Sequence, residues 1–490
     1  MMTNSIYKEI ILSKTGKEIP ILQNGRSIES KYDPEREAKQ IIQTFSPDTR
    51  FFIITGIGSG ILIQNIAETF PQAKIIAVEK SENELTFLSH LTAIKNLSQN
   101  KNILFYHSEN LCQAIISNYI PALYGNIKIF ENKAWINENS NIIDLLQKQI
   151  QSGLKKVSAD FSVQAHFGKI WQKNILCNLK ILPNNKQENN LQPVNSKTAA
   201  IIAAGPSLDN YINELKKGDY YIIATDTAYT ILTKYGIKAD AAVSLDGQYL
   251  SYNHFLGHVK NNSQTAFFFD LSSNPSAARN ISDKARLSYF TSGHPLSEYA
   301  KQSQNLKLLK LYSGSGTVTI SALDLAIQMG FSKIKVFGAD FSYPDNKPYA
   351  KGSYLDTLYQ LQSNRLNSTE KLFSKLMYRT PLISKNNNKS TEVLEGYRTS
   401  FEEYLTNTGA EFSNKDFVYN IEIKSHPAGL QTQSSKTFDY KAFIKQLKND
   451  EKKEIILLPY IAWLRKNSEF SDNNYKELYN IARKTLDRYL

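Results

Sequence analysis

Apolar residues fall along this chain in two rhythms that trade places. Short unbroken runs, rich in Ile, Val, Phe and Ala, each end in a glycine or a polar residue. Longer stretches follow in which apolar positions recur every three or four residues. The first rhythm predicts buried strands and the second amphipathic helices. Their alternation predicts an α/β fold with mainly parallel sheets.

In the first third, a turn at Asp33-Pro34 precedes a charged helix. The strand 50–55 then ends in Gly56-Ile57-Gly58-Ser59-Gly60, and helical spacing follows over 61–70. The next strand, 73–78, ends at Glu79, and strands at 102–106 and 126–130 continue the alternation. A glycine loop after one strand and an acid after the next is the layout of a dinucleotide or S-adenosylmethionine site, where the acid grips ribose hydroxyls. The G-x-G-x-G spacing falls short of the full dinucleotide fingerprint, and no methyltransferase motif follows. The preferred reading is a Rossmann-like scaffold, with ligand binding at Gly56–Gly60 left open.

Residues 142–182 keep helical periodicity throughout. Residues 183–196 are polar with two prolines and form the clearest linker. Beyond it, strands are expected at 199–204, 220–225, 239–245, 265–269, 287–291, 306–311 and 333–337. They end at Gly205-Pro206-Ser207, Asp226, Asp246, Asp270, His294, the Ser313–Thr317 loop and Asp340 in turn. Ligands in open α/β sheets sit at the carboxyl ends of strands, so these residues are expected to share one pocket.

Two of the bends suit a phosphate. At Gly205-Pro206-Ser207 a strand–turn–helix would leave backbone N–H groups and a helix dipole facing an anion. Glycine allows close approach, proline fixes φ, and serine caps the helix or donates. Ser315-Gly316-Thr317 opens a strongly periodic helix reaching Met329. In the last third, helices are expected at 354–376 and 391–407, with a polar loop at 384–390, and a helical region runs from 438 to 490. The expected domains are 1–141, Rossmann-like; 142–196, connector and linker; 197–425, a central α/β domain with a helical insert at about 354–410; and 426–490, helical.

Composition narrows the classes. No run of 18 apolar residues suggests a membrane span, and the first twenty residues lack a secretory signal pattern. Two isolated cysteines, Cys112 and Cys177, fit a reducing cytoplasm. The net charge is +12, but Lys and Arg are interleaved with acids. Solvated surface explains this better than a nucleic-acid partner.

The segments GPSLD (205–209), ATDTA (224–228), KADAAVSLD (238–246), SGSGTVTISALDLAIQMGF (313–331) and KIKVFGADFSYPDNKPYA (333–350) bring a family into view. In this order they resemble the central domain of motility accessory factors, bacterial flagellin glycosyltransferases. KYDPEREA at 31–38 and the three-part layout resemble the same family. The domain type is also associated with 6-hydroxymethylpterin diphosphokinases, so the domain alone does not fix one chemistry.

That family's central domain is similar to bacterial sialyltransferases that use CMP-sialic acid. The resemblance implies that Gly205, Pro206, Ser207, Thr225, Asp226, Ser315, Gly316 and Thr317 line a nucleotide, and that Tyr343 and Tyr349 hold the donor phosphate. Each tyrosine is displaced by one residue from the sialyltransferase spacing. The catalytic histidine that follows the second tyrosine there has no counterpart, since no histidine lies between His294 and His426. The general base stays open among Asp340, Asp246 and His294.

The implied reaction moves a nonulosonic acid (pseudaminic, legionaminic or sialic-like) from its CMP form to Ser or Thr of flagellin, in support of flagellar assembly and motility. No tightly bound cofactor is implied; Mg²⁺ and homo-oligomerisation stay open. The alternatives are pyrophosphate transfer from ATP, for which no Walker loop is present, and a catalytically silent flagellin-binding scaffold.

Overall fold

The computed structural model describes residues 5–182, 197–261, 263–314, 316–385, 388–424, 438–450, 453–467 and 475–489. The expected linker at 183–196, Ser315 and His426 lie outside the described residues. The chain forms two compact units, Met1–Gly168 with Leu457–Thr485, and Lys169–Ile456 with Leu486–Leu490. The division falls within the helix Ile143–Ile181. Leu146, Ile150 and Val157 near its start belong to the core of the first unit. Ile175, Leu176 and Leu179 near its end are fully buried and belong to the second.

The first unit opens with an antiparallel hairpin, β1 (Tyr7–Leu12) and β2 (Glu18–Leu22). β3 (Phe51–Thr55), β4 (Lys74–Glu79), β5 (Ile103–His107) and β6 (Ile127–Glu131) form a parallel sheet in the order β5-β4-β3-β6. Every residue of β3 is buried, as an apolar run covered on both faces requires.

Gly56, Gly58 and Gly60 all adopt positive φ, yet the chain itself fills the seat they make. The Glu79 carboxylate accepts from Ile57 N and the Tyr7 hydroxyl at 2.8 Å each, and from Trp135 Nε1 at 2.7 Å. Glu29 accepts from Ser59 N at 2.8 Å. A Cβ on Gly56 would lie 2.6 Å from that of Trp135. The acid placed where a ribose-gripping acid would stand holds the glycine loop instead.

The second unit contains β7 (Thr198–Ile202), β8 (Tyr220–Thr225), β9 (Ala241–Ser244), β10 (Ser263–Asp270), β11 (Ala285–Thr291), β12 (Leu309–Lys310) and β13 (Lys333–Phe337). A small hairpin follows, β14 (Ile383–Lys385) with β15 (Asn388–Ser390), then β16 (Glu411–Lys415) and β17 (Val418–Glu422). The nine-stranded sheet runs β12-β11-β10-β9-β8-β7-β13-β17-β16. Neighbours from β12 to β13 are parallel; β17 and β16 add as an antiparallel edge.

From β7 the chain steps outward to β12. The helix Val318–Gln328 then returns it to β13, on the other side of β7. That helix is buried from Thr319 to Ile327, which explains why it is apolar nearly all round. The strand order therefore reverses between β7 and β13, the switch point at which open sheets form a crevice.

Two expectations for the last third are corrected. The helix expected over 354–376 is two helices, Tyr354–Gln362 and Thr369–Met377, the second capped by Ser368. The expected reading contained neither the hairpin β14–β15 nor the edge strands β16 and β17. Cys112 and Cys177 are both free. No described helix is long and apolar enough to cross a membrane.

Candidate functional site at the carboxyl edge of the sheet

The Gly205 turn lies at the switch point but does not present an open anion seat. Gly205 N donates to Gly338 O at 2.8 Å, and Leu208 N to Gly205 O at 3.1 Å. Ser207 N donates to Asp340 Oδ2 at 2.8 Å, and the Ser207 hydroxyl donates to Asp340 Oδ1. Pro206 and Ser207 are buried, and the turn enters a five-residue 3₁₀ helix, Pro206–Asn210. The expected phosphate contact through Ser207 is thus corrected: its donors are spent on Asp340. Gly205 is required for another reason. A Cβ there would meet the carbonyl of Gly338 and the carboxylate of Asp340.

This also corrects the expected base role of Asp340. Burial pushes its carboxyl up to about 6, the two Ser207 bonds pull it down, and Asp209 adds to the rise. A carboxylate with both oxygens engaged inside the fold positions a loop; it does not face a substrate hydroxyl.

The open chemistry lies along the same edge, at β8 and β9. Asp226 begins the helix Asp226–Lys234 directly after β8, and Thr225 is its capping residue by position. Both are buried. Asp226 Oδ2 accepts from the Ser244 hydroxyl at 2.9 Å, and Oδ1 from Thr227 N at 2.8 Å. Asp246, two residues past β9, is only half-buried, and its Oδ1 accepts from Gln248 N at 2.8 Å. Burial first, then the Asp226 charge, raises its carboxyl to about 6 against that hydrogen bond.

The tyrosine loop crosses this edge. Ala350 N donates to Ala204 O at 2.9 Å, which seats Tyr349 beside the end of β7. Burial pushes the Tyr349 hydroxyl up to about 12, helped by Tyr354, Tyr343, Asp226 and Tyr359 within electrostatic reach. Tyr354, at the start of its helix, feels Asp246 and Asp226 in turn. So Tyr343, Tyr349, Asp226 and Asp246, all expected from the sequence, share one neighbourhood with Tyr354. The hydroxyls are held protonated and can donate; the two carboxylates can accept.

Of the second bend, Gly316 and Thr317 are described. Gly316 is exposed with a φ of +89° and nothing within 4 Å of a Cβ placed on it. Thr317 caps the helix Val318–Gln328, its Oγ1 accepting from Thr319 N at 3.4 Å. The helix dipole therefore points its positive end at the carboxyl edge of the sheet.

His294 is corrected. Its Nδ1 accepts from Leu296 N at 3.1 Å as the cap of the helix Pro295–Ser303, while its Nε2 is buried. The ring stands edge-on to Trp171, and burial drops its pKa to about 3. It serves packing and capping, not proton transfer.

The sequence reading missed three contributors. His254 stacks edge-on to Tyr354 at 4.6 Å, with Nε2 3.5 Å from the Thr227 hydroxyl. Asn174 and Asn178 lie one turn apart on the helix Ile143–Ile181. Each donates twice to strand-end loops: Asn174 to Gly247 O and Ser272 O, Asn178 to Leu271 O and Ser273 O, all at 2.9 Å. The only signal for them was two asparagines at i, i+4 inside an apolar helix, where polar side chains need buried partners.

A groove of about 450 Å³ lined by Thr198, Lys333, Lys335, Glu411 and Phe412 lies at the amino ends of β7 and β13, the opposite edge from these residues. Among the described residues no group of three or more His, Cys, Asp or Glu side chains is placed to hold a metal ion.

The sheet reverses its strand order between β7 and β13 and gathers polar side chains at its carboxyl edge, which is where open α/β sheets bind ligands when they do so. Residues 173–346 match the family described as 6-hydroxymethylpterin diphosphokinase MptE-like. Two uncharacterized proteins of Treponema pallidum (strain Nichols) are similar. One is 31% identical over 213 residues, covering 41% of this chain and 69% of that protein. The other is 34% identical over 150 residues, covering 29% and 67%. The chain belongs to the MptE-like family. The structure of MAf glycosyltransferase from Magnetospirillum magneticum AMB-1 aligns with a TM-score of 0.49 at 12% identity, over 99% of this chain and 91% of that one.

Proposed function

We propose that the second unit is a glycosyltransferase that moves a nonulosonic acid from a CMP-sugar to Ser or Thr of flagellin. What supports this reading is that Tyr343 and Asp226 lie within electrostatic reach of Tyr349, and Asp246 within reach of Asp226, at the carboxyl edge of the sheet. The ordered segments that resemble the motility accessory factors, 205–209, 224–228, 238–246, 313–331 and 333–350, support it. The bond from the anomeric carbon to the CMP phosphate breaks, and negative charge grows on the departing phosphate. The hydroxyls of Tyr343 and Tyr349 donate to that phosphate, and the helix start at Gly316-Thr317 adds its dipole. Asp246 takes the proton of the acceptor hydroxyl as the new carbon–oxygen bond forms. Its carboxyl, near 6, is ionised at neutral pH yet basic enough for the task. Asp226 fixes Ser244 and the end of β8; Asp340 fixes the Gly205 turn.

The description of the matching family favours a second reading, pyrophosphate transfer from ATP. Its Mg²⁺ would fall to Asp226 and Asp246 with the nucleotide's own phosphates. Titration of the full chain with CMP, and separately with ATP plus Mg²⁺, divides the two. Preference for CMP, with a mass increment on flagellin when CMP-sugar is supplied, is the expected result. Preference for ATP plus Mg²⁺ would turn the reading to the kinase. Flagellin bound without any increment would leave a silent scaffold. We place the reaction in the cytoplasm.

A further inference from the structure

The tyrosine loop is bolted to an insert whose outer face has no partner within the described residues. Tyr343 N donates to Lys389 O at 2.7 Å, and the Ser390 hydroxyl donates to Phe341 O at 2.9 Å. Lys389 Nζ in turn bonds the Tyr378 hydroxyl at 3.0 Å and stands over its ring. A continuous path therefore runs from the donor tyrosine through β15 to Tyr378, which is 57% exposed. The same insert contains the helices Tyr354–Gln362 and Thr369–Met377, packed by Tyr359 against Phe373. At their shared tip Leu361 and Leu366 are each 81% exposed, and residues 361–366 are exposed without a break.

Two leucines so exposed on one tip are uncommon on a surface with no partner, since each forfeits the burial that drives its type inward. Cations stand beside these apolar groups. Lys371 Nζ bonds Leu366 O at 3.1 Å, and Arg365 lies between the leucines in sequence. Over residues 354–391 six Lys or Arg face two Asp or Glu. A second copy of the chain is a poor occupant, because the whole chain carries +12 and basic surfaces repel.

We infer that this insert, from Tyr378 to the Leu361–Leu366 tip, is the docking surface for the acceptor protein, and that it fits an acidic polypeptide segment bearing exposed apolar side chains. This rests on the transferase reading and names its acceptor side. Docking here delivers the acceptor hydroxyl along the β15 path to the tyrosines. The apolar tip supplies residence time, and the surrounding cations supply steering and register.

The test compares the full chain with two variants, Leu361→Ser with Leu366→Ser, and Lys375→Glu with Arg379→Glu. All four positions are exposed, and circular dichroism checks the fold. Recombinant flagellin is the probe for the surface and CMP the probe for the donor site. The expected result is unchanged CMP affinity with flagellin affinity lowered about tenfold or more in each variant. Wild-type flagellin binding should also weaken steeply between about 0.05 and 0.3 M salt. Flagellin binding equal to wild type in both variants overturns the proposal and leaves the donor site standing. So does CMP binding with no flagellin binding by the wild-type chain. A wild-type dimer that the leucine variant splits would assign the tip to a second copy instead. Failure of CMP to bind sinks the donor reading alone, because the flagellin measurement still scores the surface.

Discussion

Asp340 and Ser207 face each other across the reversal of strand order. Ser207 donates both its backbone N–H, at 2.8 Å to Oδ2, and its hydroxyl, to Oδ1. The carboxylate takes both donors that a phosphate at this turn would use, so the turn locks β7 to β13. Removing the acceptor leaves a buried N–H without a partner. Asp340→Ala is expected to cost about 1–3 kcal/mol, read as a lower Tm. Asp340→Asn keeps one acceptor for Ser207 N and should retain transfer within about tenfold. Asp246→Asn should lose about 10²- to 10⁴-fold. The reverse ranking would restore Asp340 as the base.

The pH profile of transfer follows from Asp246. A base acts deprotonated, so the rate should climb as pH rises through about 6 and then level. Stability runs the other way. A carboxyl raised from 3.8 to about 6 by folding holds its proton more tightly folded than unfolded. Its contribution is complete below the lower value and is lost as pH rises through the upper one. A transfer rate flat between about pH 5 and pH 8 would remove Asp246 from the role.

Glu29 makes a parallel case in the first unit. Its Oε1 accepts from Ser59 N, while its Oε2 is buried without a partner. Burial lifts the group from 4.5 to about 7, against the Ser59 bonds and with a smaller push from Glu37. The stability it contributes therefore falls as pH rises across that window. Glu29→Gln, which cannot ionise, should raise the Tm of the full chain near pH 8 and change it little near pH 5, as scanning calorimetry at both values would read. An equal effect at both would mean that Glu29 acts through packing alone.

Thr317 caps the helix that carries the chain back to the switch point, through a bond that is long at 3.4 Å. Thr317→Ala should therefore cost about 0.5–1 kcal/mol, the low end for lost caps. Differential scanning fluorimetry would register this as a small drop in Tm. A loss of several kcal/mol would mean the side chain also holds the Ser313–Thr317 loop.

Much of this was legible because parallel strands advertise themselves. Residues 51–54 and 199–202 are unbroken apolar runs, buried in full, and the polar residues that end such runs cluster by topology. What stayed hidden depends on distant partners. Nothing near Ser207 says that its donors are taken by a carboxylate 133 residues away. Nothing near Glu79 says that Tyr7 and Trp135 turn it inward. The edge strand β16 is exposed at all five positions, so it shows no apolar alternation. Its turn places Asp416 and Phe417 at positive φ, and Phe disguises a bend that glycine or asparagine would announce. His254 escaped notice because its partners, Thr227 and Tyr354, meet it only once the edge is assembled.

The most direct measurement is calorimetric titration of CMP into the full chain and into the Tyr343→Phe, Tyr349→Phe double variant. Two hydroxyls donating to a charged phosphate should be worth about 1.5–3 kcal/mol each. The variant is therefore expected to bind at least about a hundredfold more weakly while keeping the wild-type circular dichroism spectrum. Equal affinity in the two proteins, or no binding of CMP by the wild type, would contradict a nucleotide phosphate held at this edge by Tyr343 and Tyr349.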